Sequence, residues 1–205
     1  MREFPIDPEL KALWRDGLDY EVRRSSIAFF ILIVLVCLLN LLVPSLREQA
    51  MDQIYSMMAG KDLLTQEGEL SFLALFSNNM TACIAVMLYG LLPFVHLSAL
   101  ALGLNAALLG VMAAVCIAEG TPLQFLAAII PHGIFEFPAL ILAFAMGLFV
   151  CGQLTRRCKK DQGAYSFLHC LTMISKLLFL VLVPLLVIAA AVEAWVTPMV
   201  LLLFQ

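Results

Sequence analysis

Pro131-His132-Gly133-Ile134-Phe135-Glu136-Phe137-Pro138 lies inside an apolar run that extends over residues 122–152. A histidine and a glutamate four apart share one face of a helix. Ionisable side chains within a membrane segment cost about 2.5–3.5 kcal/mol on insertion scales, so they face protein or water rather than lipid. About thirty residues of helix would reach about 45 Å, against a hydrocarbon core of about 30 Å. Two prolines and a glycine in eight residues predict a break at Pro131-His132-Gly133. The expected result is a broken fourth span, with residues 123–130 as a half-helix or re-entrant piece and 133–151 as the crossing part. On that part His132, Glu136, Ala139, Ala143 and Gly147 share a face, which should pack against protein.

The rest of the 205 residues fits the same solvent. The chain is 63% hydrophobic and 13% charged, where a soluble domain is about half apolar and a quarter charged. Runs of about 20 residues carry almost no charge, enough for an α-helix to cross a bilayer. The runs are continuous rather than alternating, which excludes a transmembrane β-barrel. The fold class is all-α: a polytopic helical membrane protein of about five spans with interfacial amphipathic helices. A net charge of −3 and the lack of a separate basic tract argue against nucleic acid as a partner. The polar start of the chain does not read as a cleavable signal. The six cysteines form no CxxC pair and read as small apolar residues rather than a redox or zinc site.

Residues 1–25 hold five Arg or Lys and read as a cytoplasmic amphipathic segment, with Leu10, Leu13, Trp14 and Leu18 at helical spacing on the membrane surface. Residues 26–205 read as one helical membrane domain. Its first span covers residues 27–43 and ends at Pro44. Residues 45–70 carry five acids, and Met51, Ile54, Tyr55 and Met58 predict an amphipathic helix on the opposite side, ended by Gly60. Residues 72–94 and Leu97–Ala118 form a hairpin of spans. Ala99, Gly103, Ala106, Gly110 and Ala114 trace a small-residue stripe on the second of them, which permits close helix approach. A fifth span is expected near residues 177–195, bent at Pro184.

Cytoplasmic loops are enriched in Lys and Arg. The N-terminal segment and Arg156, Arg157, Lys159 and Lys160 are the two basic clusters, and five spans place both inside. The expected orientation therefore has a cytoplasmic N-terminus.

Counted along the helices, Asn78 and Asn79, Asn105, and the pair His132 and Glu136 fall at similar depth in three neighbouring spans. They are expected to form a buried polar cluster. Three roles are open to it. The first is a structural lock, with interhelical polar contacts worth about 0.6–2 kcal/mol each. The second is a divalent metal site with His132 and Glu136 as ligands, although zinc takes three or four protein ligands. The third is a proton or substrate relay of the kind small transporters build at broken helices. HxxxE lacks the second histidine of HExxH, and no GxSxG occurs, so no enzymatic activity and no cofactor beyond that metal are expected.

The segments Phe76-Ser77-Asn78-Asn79, Ala101-Leu102-Gly103-Leu104-Asn105-Ala106, Glu119-Gly120 and Pro131-His132-Gly133-Ile134-Phe135-Glu136-Phe137-Pro138 resemble the stage II sporulation protein M family. The resemblance covers about residues 70–152, and Asn78 or Asn79, Asn105, His132 and Glu136 match its polar positions. It implies a multi-spanning prokaryotic membrane protein with no established enzymatic activity. In endospore formers the family member anchors a peptidoglycan-remodelling complex during engulfment. The expected function is thus a non-enzymatic, cell-envelope scaffold in contact with membrane lipids, homodimeric, with envelope-remodelling proteins as partners. A metal-binding protein or small transporter using His132 and Glu136 is the alternative.

Overall fold

The computed structural model describes residues 8–58 and 71–203. Five of its helices are long and apolar enough to cross a membrane, the number read from the hydropathy runs, and the described residues contain no strand. The first begins with a short helix α1 (Pro8–Leu13), turns through a kink at Gly17 within Trp14–Leu18, and continues as α2 (Asp19–Leu42). Gly17 makes the turn possible: its φ of 119° belongs to a region that side chains with a Cβ avoid. The 1–25 segment was expected to lie on the membrane surface. Instead Leu13 and Leu18, both almost fully buried, join the common core, and Lys176 reaches Glu9 at 2.6 Å. Leu13 and Leu18 thus find protein and Leu10 is partly covered, whereas Trp14 on the same face stays exposed.

Pro44 cannot donate a backbone hydrogen bond and opens a new helix, α3 (Pro44–Met58), on the opposite side of the bundle. Ile54 on its apolar face is buried and Met51 half-buried. The side chains of Tyr55 and Met58, the proposed stop at Gly60 and the acids beyond it lie outside the described structure. Ser71 caps α4 (Phe72–Tyr89) by accepting from the Ala74 amide. After a tight link, α5 (Leu97–Ala118) runs back antiparallel.

The fourth span is α6 (Pro122–Cys158), one uninterrupted helix of 37 residues with Pro131 and Pro138 inside it. The break expected at Pro131-His132-Gly133 is absent. Each proline removes one backbone hydrogen bond, but a chain end opened there would expose still more polar groups where no water can satisfy them. At about 55 Å the helix exceeds the hydrocarbon thickness and projects beyond it. α6 is also the axis of the molecule. Two thirds of its apolar window is buried (67%), against 22–33% for the other four spans. It is in contact with α2, α4, α5 and the C-terminal helix.

Ser166 caps that last helix by accepting from the His169 amide. It runs from Phe167 to Leu202 as α7 (Phe167–Leu177), α8 (Val183–Ala191) and α9 (Thr197–Leu202), joined by π-turns at Leu178–Leu182 and Val192–Val196. The bend expected at Pro184 is thus a π-turn just before it, and a second π-turn precedes Pro198. A proline ring collides with the carbonyl four residues earlier, and one extra residue per turn relieves that collision. The tail after Trp195 extends the same helix.

Two close approaches fix the bundle. At Gly110 a Cβ would lie 2.8 Å from the Ile33 carbonyl oxygen, so α2 rides directly on α5. At Gly147 a Cβ would lie 2.6 Å from the Val86 carbonyl oxygen, and the Ser98 hydroxyl, on α5, donates to that same oxygen at 2.8 Å. The stripe of small residues on α5 is therefore divided. Ala106, Gly110 and Ala114 are buried inside the chain, whereas Ala99 is exposed and Gly103 has nothing within 4 Å of a Cβ.

Candidate functional site

Toward the α3 end of the bundle, the packing opens into a cavity of about 200 Å³. Its polar walls are Asn78 and Asn79 from α4, Asn105 from α5, His132 and Glu136 from α6, and Glu193 from the second π-turn. Phe29, Leu75, Phe137 and Leu140 supply apolar wall. The five polar residues singled out in the sequence thus border one chamber, but they do not form the buried cluster expected: Asn78 is exposed and Asn79, Asn105, His132 and Glu136 are half-buried. Counted from the same end of each helix, Asn78, His132 and Glu193 lie about 9–15 Å deep and Asn105 about 20 Å.

Bordering a chamber is not the same as bonding across it. The Asn105 amide donates to the Ala101 carbonyl of its own helix at 2.9 Å, and Asn78 donates to Asn79 at 3.3 Å. The ionisable groups instead meet each other. His132 Nε2 lies 3.6 Å from Glu136 Oε2, and both side chains are largely buried, at 13% and 16% exposure. A ligand-capable atom of Glu193 joins them, so that all three lie within 4.8 Å of one another. On the other side of the imidazole, Nδ1 faces Thr197 Oγ1 at 3.5 Å.

The π-turn builds this junction. Its wider winding sends the Thr197 amide to the Val192 carbonyl, five residues back, and the Thr197 hydroxyl donates to the same oxygen at 3.3 Å. Glu193 and Thr197, four apart, both face α6 as a result. Sequence reading missed both. Glu193 did carry a signal: it is the sole ionisable residue after Lys176, and an isolated acid in an apolar span marks a polar environment.

Chemically, the chamber offers one imidazole, two carboxylates and three carboxamides, and among its described lining residues there is no Lys or Arg. The donor set suits a proton or a divalent cation. His96 and His169 belong to the other end of the bundle, where His96 precedes α5 and His169 packs edge-on against Tyr165 with ring centroids 4.3 Å apart.

That opposite end is held by different chemistry. Phe94 donates its amide to Thr155 Oγ1 at 2.9 Å, the Tyr165 amide donates to Gln153, and the Tyr165 hydroxyl donates to Asp16. Burial, with Asp16 beside it, pushes the Tyr165 phenol up to about 12. Arg156 pairs with Asp161 at 2.8 Å and holds its carboxyl below the usual range.

Compared with known proteins, residues 26–198 match the family model described as stage II sporulation protein M. No curated protein and no solved structure matches the chain.

Proposed function

Because the chain belongs to the stage II sporulation protein M family, we propose that it is a non-enzymatic integral membrane scaffold of the cell envelope that works as a homodimer. The observation that carries this reading is the distribution of surface. Nearly everything the bundle presents between its two ends is apolar helix face, including Ile31, Val34, Leu35 and Leu38 of α2 and Leu100 and Leu104 of α5. Such a molecule meets other membrane components through helix contacts. Its envelope-remodelling partners would dock on these faces. Ala99 and Gly103 leave α5 locally flat beside Leu100 and Leu104, and small residues four apart allow a second helix to come close without hydrogen bonds.

The orientation we assign is a cytoplasmic N-terminus in a prokaryotic inner membrane. It is supported by the gathering of Lys11, Arg15, Arg23 and Arg24 with Arg156, Arg157, Lys159 and Lys160 toward one end of the five spans. Cys158 is exposed at that end. A bulky, membrane-impermeant maleimide should modify it only after cells are permeabilised; modification in intact cells would reverse the orientation.

The dimer is tested by Gly103→Leu. The site is open, so the monomer should fold with unchanged thermal stability while the dimer in lipid bilayers is lost. A wild-type protein that is monomeric in bilayers would contradict the reading.

A further inference from the structure

We infer that His132, Glu136 and Glu193 bind a divalent transition-metal ion, of which zinc is the natural probe, inside the membrane domain. The first argument is spacing. At 3.6 Å, His132 Nε2 and Glu136 Oε2 are too far apart for a good hydrogen bond. Two ligands bound to one zinc at about 2.0–2.1 Å and a tetrahedral angle stand about 3.3 Å apart. A carboxylate oxygen of Glu193 lies within 4.8 Å of a ligand atom of each of the other two residues. Three protein ligands from two helices leave one coordination position open.

The second argument is independent of spacing and concerns which nitrogen carries the proton. The Thr197 hydroxyl donates to the Val192 carbonyl, which also accepts the Thr197 amide. With that proton so placed, the Thr197 oxygen is left to accept from Nδ1, which fits the tautomer with hydrogen on Nδ1. Nε2 is then a bare lone pair turned toward the Glu136 carboxylate. Such an arrangement repels itself unless a cation or a proton lies between the two. Holding one imidazole nitrogen through an outer partner so that the other is free is how proteins orient metal-binding histidines.

Charge gives the third argument. Two carboxyl groups in a mostly buried chamber need a counter-charge or a proton, and no Lys or Arg is among its described lining residues. A divalent ion supplies both charges. The cavity of about 200 Å³ also has room for a water in the open position, since a water takes up about 30 Å³. Asn78, Asn79 and Asn105 line the same cavity.

The test is elemental analysis of the full chain, purified in mild detergent after equilibration with zinc and removal of excess. We expect stoichiometric zinc in the wild type and its loss in His132→Ala and Glu193→Gln. Thr197→Val keeps every ligand and should weaken zinc about 10–100-fold. Because a ligand variant can fail by misfolding, the wild type is also loaded with cobalt. Visible bands and X-ray absorption should then report nitrogen and oxygen neighbours without sulfur. A folded wild type that takes up no stoichiometric zinc overturns the site, and so does zinc retained in His132→Ala or a sulfur ligand in the cobalt form. A proton shared between His132 and Glu136 would be the occupant in the first of these cases. Since the dimer test reads association and this one reads metal content, either can fail alone.

Discussion

The two halves of α6 solve opposite problems. From Ala139 to Leu154 almost every residue is buried, including Phe144, Met146 and Val150, and glycine lets neighbouring backbones touch. From Pro122 to Pro138 only Ala127 and Gly133 are buried to that extent, and the helix instead borders the polar chamber. The lower half is held by shape, where any added atom collides. The upper half keeps space and lines it with ionisable and amide groups. A single helix thus provides a rigid post and, on the same post, one wall of a polar chamber.

That contrast can be broken first where the packing is tightest. Gly147→Leu should have the largest effect. Overpacking a core costs about 1–3 kcal/mol and occasionally more, and here the new side chain meets the α4 backbone and Ser98 rather than a movable side chain. We expect little folded protein on size-exclusion chromatography; a monodisperse variant of wild-type stability would show that this half is looser than described.

In the chamber the effects should be smaller and depend on chemistry. Glu136→Leu removes a partner of His132 and is expected to cost about 1–3 kcal/mol, whereas Glu136→Gln keeps hydrogen bonding and should cost less. Thermal unfolding in detergent compares them. Equal losses would mean that the charge itself matters to the fold.

At the basic end, a modest pH effect is expected. Tyr165 titrates near 10 when unfolded and at about 12 in place. Its contribution is therefore complete below pH 10 and is lost as pH rises toward 12, because the bond to Asp16 needs the phenol proton. Melting followed over that range should show the loss in wild type, with a smaller loss in Tyr165→Phe. The smallest effect belongs to Gly103→Leu, which should leave stability unchanged.

How much of this was legible in the sequence follows the same division. Spans are written in length and hydropathy, so their number could be read directly. The neighbourhood of Asn78, Asn79, Asn105, His132 and Glu136 could be read because depth in a bilayer is countable. The helix through Pro131 could not, since the rule that proline ends helices is calibrated in water, where the freed groups are solvated. Glu193 could have been noticed as the lone acid of its span, but the direction it faces was hidden by the π-turn. One additional residue per turn rotates the face that follows, and no periodicity at 3.6 residues reports it. The burial of Leu13 and Leu18 was invisible for another reason: an amphipathic helix has the same pattern against lipid as against protein.

The central claim is that α6 and the C-terminal helix bring His132, Glu136 and Glu193 into direct interaction within the bundle. A double-mutant cycle on thermal unfolding with His132→Ala and Glu193→Gln measures it most directly. Side chains in contact should give a coupling of about 0.5–3 kcal/mol, whereas additivity within about 0.3–0.5 kcal/mol would mean that the two helices do not meet there.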